Sequence, residues 1–115
     1  MIFPKIRMRE RRKNEVTRKK FRQTAEVSVR DLIMPVFVKE GIDKKKAIKS
    51  MPGIYQFSLK EVASEAKKIY DLGIPSLILF GISRHKDEIG SGSYDDNGIT
   101  QSAIRLIKKK APKLT

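Results

Sequence analysis

The sequence predicts an α/β protein with parallel strands, and three observations carry that expectation. Two apolar runs, Asp31–Val38 (DLIMPVFV) and Ser76–Phe80 (SLILF), have the length and content of strands. Each is followed, after a loop, by a segment whose apolar residues recur at three- and four-residue spacing, as in an amphipathic helix. Their order, strand–loop–helix taken twice, is that of right-handed βα units in a parallel sheet.

Composition narrows the class. At 115 residues, 39% apolar and 7% aromatic, the chain suits one soluble α/β domain with a modest core. Without cysteine there is neither a disulfide framework nor a thiolate metal site. No apolar run approaches the roughly 18 residues of a membrane span. No apolar stretch follows the basic N-terminus as it does in a secretory leader, so a cytoplasmic location is expected.

Residues 1–27 read as a basic arm and 28–115 as the body. Residues 1–22 hold ten Lys and Arg against two acids, Glu10 and Glu15, within a formal net charge of +13. Few apolar residues and no sustained period mark the arm as an extension that gains order by packing on another surface. In the first strand Pro35 removes a ladder donor, which predicts an edge position, an irregularity or a shortened strand. Lys39–Phe57 reads as a loop with a turn at Met51-Pro52-Gly53.

The first helix is specified in detail. Ser58-Leu59-Lys60-Glu61 forms a capping box, the serine hydroxyl accepting from the Glu61 N–H while the carboxylate reaches back. Phe57 and Val62 hold the two positions of a hydrophobic staple, and Leu59, Val62, Ala63, Ala66, Ile69 and Tyr70 make one apolar face. Leu72-Gly73 stops the helix, with Pro75 just beyond. The second strand, Ser76–Phe80, is apolar throughout, as a parallel strand covered on both sides is. A polar, glycine-punctuated loop of about seventeen residues follows Phe80-Gly81. Asn97 then caps a second helix, with Ile99, Ala103, Ile104, Ile107 and Ala111 on its apolar face, Lys108-Lys109-Lys110 in its last turn and Pro112 as its stop. A third strand is expected to begin at Lys113-Leu114-Thr115. Two strands and two helices leave an open sheet edge and an uncovered strand face, so the chain reads as a piece of a larger (β/α) protein.

In parallel α/β folds ligands gather at the carboxyl ends of strands, which places the segments after Val38 and Phe80 on the functional face. The long loop is thus a candidate active-site loop, although a solvated connection is the commoner use of such a segment. Its motifs are weak. Residues 93–98 (SYDDNG) resemble the opening of a calcium loop, but Ser93 replaces the first Asp and Ile104 stands where the bidentate Glu is needed. Gly90-Ser91-Gly92-Ser93 could offer N–H groups to a phosphate, yet no GK[ST] follows and a hinge is the better reading. His85 has only Asp87 and Glu88 nearby to share a metal and reads as an exposed polar residue. Lys39 could be a Schiff-base amine, but Glu40 beside it pushes an amine pKa up rather than down. No Ser–His–Asp set or carboxylate pair emerges.

The arm has two readings. Its Arg and Lys side chains could clamp phosphates, with Phe21 stacking on a base, or lie against carboxylates of a neighbouring subunit. Composition alone favours nucleic acid slightly, although aromatic interleaving and any zinc or recognition-helix signature are lacking.

Five collinear blocks then carry a resemblance: DLIMPVFVKEG (31–41), SMPGIYQFS (50–58), DLGIPSLILFGI (71–82), KDEIGSGSYDDNG (86–98) and QSAIRLIKK (101–109). Together they resemble the delta-aminolevulinic acid dehydratase, or porphobilinogen synthase, family over about residues 5–115. The resemblance implies an N-terminal arm (1–27) plus the first two βα units of a TIM (β/α)8 barrel (28–115), incomplete in this chain. The reaction it implies is condensation of two 5-aminolevulinate molecules to porphobilinogen, with loss of two waters, in tetrapyrrole (heme) biosynthesis. It also implies a homo-octamer or hexamer assembled through the arm, which turns the reading of Arg7, Arg9, Arg11 and Arg12 from nucleic acid to subunit contact. Zinc or magnesium is the implied cofactor.

By the same resemblance, the family's Schiff-base lysines, its third-strand aspartate, its metal-ligand segment and its lid fall beyond Thr115. No catalytic residue and no metal ligand is therefore expected in this segment, and the piece alone is expected to be inactive. Phe80 is the first candidate to line the substrate pocket and Ser83 the second. Two positions depart from the family pattern: Gln56, where arginine is common, and Ser93, where alanine is common. Gln56 bears on a local ion pair. The alternative is a free-standing basic α/β module that binds nucleic acid.

Overall fold

The computed structural model describes residues 13–20 and 27–115; Arg7, Arg9, Arg11 and Arg12 lie outside the described residues. In chain order the helices are α1 (Glu15–Lys20), α2 (Leu59–Asp71) and α3 (Ile99–Lys110). The strands are β1 (Ile33–Lys39), β2 (Lys46–Ala47), β3 (Tyr55–Phe57) and β4 (Ser76–Ile82). The two apolar runs become β1 and β4, paired in parallel from Ile33↔Ser76 to Lys39↔Ile82. β3 runs parallel to β1 on its other side, and β2 is antiparallel to β3, giving the order β2-β3-β1-β4. The segment 39–57, expected as a loop, thus supplies two short strands and one edge of the sheet.

β1 is central, which corrects the edge position expected from Pro35. The Glu40 N–H donates to Ile82 O at 2.9 Å. Alternation along the strand therefore turns the Pro35 nitrogen the other way, toward β3. Pairing with β3 begins only at Phe37↔Gln56, so the donor that proline lacks has no partner waiting for it.

One side of the sheet carries the core. Val36 and Val38 of β1 are buried with Val62, Ala66 and Ile69 of α2 and with Ala103 and Ile107 of α3; Ala111 and Leu114 close the cluster. These residues are all aliphatic, and full burial of Val38 or Val62 contributes about 1.5–3 kcal/mol each. An aspartate at Val62 would break the packing of α2. The apolar spacing read from the sequence selects these faces correctly, except that Ile104 of α3 remains exposed.

The helix ends follow local chemistry. Gly73 (φ +90) closes α2 in a Schellman arrangement, with Ile74 N–H donating to Ile69 O and Gly73 N–H to Tyr70 O. At the N-terminus the expected capping box takes another form. Ser58 is buried, and its Oγ donates to Glu61 Oε2 at 2.9 Å instead of accepting from the backbone. The Glu61 N–H goes to the Ser58 carbonyl. In α3 the cap is Gly98 and not Asn97, whose own N–H turns back to Asp95 Oδ1 at 2.8 Å.

Two termini dock on this frame. Asn14 caps the short α1 inside the predicted arm, its Oδ1 accepting from Val16 N–H at 2.9 Å. Lys20 Nζ donates to the carbonyls of Arg30 and Leu32 at the entrance to β1, at 3.2 and 3.1 Å. At the other end Thr115 N–H donates to Pro75 O, and Leu77 N–H donates to Thr115 O. That reciprocal pair is one rung of a parallel ladder on the outer side of β4, where the sequence expects a third strand. Among the described residues, no helix is long and apolar enough to cross a membrane.

Candidate active-site face

Side chains alternate across β1 and β4, and the helices cover only one of the two resulting faces. The other carries Pro35 and Phe37 from β1 against Ile78 and Phe80 from β4, at register positions Pro35↔Ile78 and Phe37↔Phe80. Ile78 is 48% exposed and Phe80 45%. β4 was expected to be covered on both sides; among the described residues only its helix side is. The two phenylalanine rings stack at 5.4 Å between centroids. Phe80 therefore stands near the carboxyl end of its strand, on an apolar surface that the sheet itself holds open.

Two chain segments leave the carboxyl ends of β1 and β4 beside each other. The Arg84 N–H donates to Glu40 Oε2 at 2.9 Å, which links them just past the last residues of the strands. Lys39 ends β1 on the Phe37 side, while Glu40 spends its carboxylate on this link.

The segment 83–98 is built from its own side chains. Asp87 is its pivot: Oδ1 accepts from Ser91 N–H at 2.8 Å, Oδ2 accepts from Ser91 Oγ, and the Asp87 carbonyl accepts from Gly90 N–H. The Ser91 hydroxyl and N–H, with the positive field of His85, hold the Asp87 carboxyl below its ordinary value of 3.8. Gly90 takes the left-handed conformation (φ 61), and residues 91–93 form a 3₁₀ turn. The glycine–serine run is thus a folded corner closed on Asp87, in place of the hinge suggested by its composition. Its Ser91 N–H, a donor a phosphate would need, is already committed.

The far end of the segment is pinned to α3. Gln101 Nε2 donates to Ser93 O at 2.8 Å, and Arg105 donates to Asp96 O. Asp95 serves the Asn97 N–H, so the SYDDNG stretch forms a turn. A depression of about 320 Å³ lies between this segment, Gly81 and the start of α3. Gly81 makes that approach possible: a Cβ there would lie 1.9 Å from Thr100 Oγ1.

The two residues singled out for the pocket are not brought together. Phe80 faces the uncovered side of the sheet. Ser83 borders the depression on the helix side, and its Oγ donates to His85 O at 3.0 Å. His85 is exposed, as its neighbours suggested. Among the described residues no three His, Cys, Asp or Glu side chains converge as a metal centre requires. Sequence reasoning missed Phe37 on the open face and the Glu40 link beyond the strand ends. Phe37 could have been found from strand alternation alone; the Glu40 link needed the register of two strands, because its partner lies 44 residues away.

A sheet whose strands β3, β1 and β4 run parallel, with α2 and α3 on one face, an open apolar face on the other, and its long connections at the strands' carboxyl ends defines a portion of a (β/α) barrel. The family model described as delta-aminolevulinic acid dehydratase matches residues 5–115, and the chain belongs to that family. It is 46% identical to the delta-aminolevulinic acid dehydratase of Methanothermus sociabilis over 110 residues, covering 96% of this chain and 34% of that protein. It is 43% identical to that of Synechococcus elongatus over 113 residues, covering 98% of this chain and 34% of the relative. The solved structure of delta-aminolevulinic acid dehydratase (porphobilinogen synthase) from Toxoplasma gondii ME49, in complex with the reaction product porphobilinogen, superposes with a TM-score of 0.71 at 28% identity. That superposition covers 99% of this chain and 32% of the other. The chain thus spans about a third of the length of the relatives it matches.

Proposed function

We propose that this chain supplies the arm (1–27) and the first two βα units (28–115) of a cytoplasmic porphobilinogen synthase. The complete enzyme condenses two 5-aminolevulinate molecules to porphobilinogen with loss of two waters. The observation that carries the reading is the family match across residues 5–115. The exposed Phe80 at the carboxyl end of β4, stacked on Phe37, supports its use as a pocket wall for a small carboxylated amine, with Ser83 at the rim.

No residue of this segment takes a proton or forms a covalent bond to substrate in this proposal. The Schiff-base lysines come from the part of the enzyme outside it. Zinc or magnesium is the cofactor of the family resemblance, but the described residues offer no converging set of donors for either ion, and no step here runs through one. Arg7, Arg9, Arg11 and Arg12 are proposed as subunit contacts in a homo-octamer or hexamer on the strength of the resemblance.

The test is production of the complete enzyme containing this chain and an assay of porphobilinogen formation from 5-aminolevulinate. Turnover by the complete enzyme and none by the 115-residue chain is the expected result. A well-folded complete protein without turnover, under either metal, overturns the proposal.

A further inference from the structure

We propose that Glu40 is a positioning residue, tying the segment 83–98 to the end of β1 and so setting its place at the rim of the substrate pocket. The observation is the manner in which the β1–β4 ladder runs out. Glu40 N–H makes an ordinary rung to Ile82 O at 2.9 Å. In a parallel ladder the next rung runs from the Arg84 N–H to the Glu40 carbonyl. Here the Arg84 N–H donates to the Glu40 side chain instead, to Oε2 at 2.9 Å.

The carboxylate stands in for the backbone, and the two chains part at that point. Gly41 turns away with φ +78, and the Arg84 side chain lies over it, so that a Cβ at Gly41 would meet Arg84 Cδ at 2.7 Å. A charged acceptor makes this rung stronger than a neutral one. Both Glu40 and Arg84 are exposed, outside the cluster that holds the helices to the sheet. Losing the rung therefore moves the rim segment and leaves the core as it is. Ser83, one residue from the rung, is the part of the pocket wall whose position it governs; Phe80 is held within the ladder itself, at Phe37↔Phe80.

The inference rests on the active-face reading above, and its test separates the two. In the complete enzyme, Glu40→Ala is expected to speed amide hydrogen exchange at Arg84 and its neighbours. It should also raise KM for 5-aminolevulinate about fivefold, the scale of one lost hydrogen bond, with kcat nearly unchanged. Glu40→Gln keeps a side-chain carbonyl that accepts from the Arg84 N–H, and is expected to restore both readouts. Unchanged exchange and KM in Glu40→Ala overturn the proposal, as does a Gln variant impaired as much as the Ala variant. Exchange is read without turnover, so an inactive complete protein counts against the enzyme assignment while the rung is decided on exchange.

Discussion

Phe37 and Phe80 stand directly opposite each other on neighbouring parallel strands, their rings stacked with 22° between planes. The pair is a wall that two strands build jointly, and each ring limits the rotamers of the other. Offset stacking contributes about 0.5–1.5 kcal/mol beyond area burial. Phe80→Ala is expected to lower the stability of the complete enzyme by about 1–2 kcal/mol in urea denaturation. Its kcat/KM should fall by roughly tenfold if the ring borders substrate, a loss of about 1.4 kcal/mol in transition-state binding. Phe80→Leu should recover most of the stability and little of the activity.

Gly81 sets how near β4 approaches the start of α3. An added Cβ would lie 1.9 Å from Thr100 Oγ1 and 3.2 Å from Ile99 Cγ2. Gly81→Ala is therefore expected to destabilise by about 1–3 kcal/mol, the usual cost of overpacking. Thr100→Ala removes the nearest atom, so the double variant should be less destabilised than the two single costs combined. A double-mutant cycle in chemical denaturation measures that coupling. Purely additive costs would show that the clash is relieved elsewhere.

Asp87 gives the rim segment a pH dependence of known sign. Its carboxyl titrates below 3.8 in the folded chain because Ser91 donates to the ionised form. The unfolded chain therefore takes up this proton first. The stabilisation is fully present above the unfolded value and is lost as pH falls through the lower folded one. Protection of the Ser91 amide against hydrogen exchange, corrected for intrinsic rate, should hold down to about pH 4 and fall below it. Asp87→Asn should remove that pH dependence and lower the protection at neutral pH.

How much of this was legible in the sequence depended on the range of the forces involved. The apolar face of α2, its glycine stop and the two long strands depend on spacing along one segment, and the folded chain keeps them. The helix caps shifted because short polar side chains have competing partners: Ser58 prefers the Glu61 carboxylate and Gly98 replaces Asn97. β2 and β3 were not legible at all. Lys46-Ala47 and Tyr55-Gln56-Phe57 are too short for a period; the second becomes a strand because β1 offers it an edge, and the first because the second then does. Pro35 misled for a related reason: its cost depends on which side of the strand its nitrogen faces. In the site, Phe80 was readable as the end of an apolar run. The Glu40–Arg84 hydrogen bond was not, since it forms only once β1 and β4 lie side by side.

The single rung that Thr115 makes at Pro75 and Leu77 leaves the rest of the outer margin of β4 without a partner among the described residues. From Leu79 to Ile82 that margin has no charge, no proline and no bulge to discourage another strand. Prepared alone, the segment would invite copies of itself to add there, backbone to backbone. Its behaviour in the test tube would then be governed by self-association.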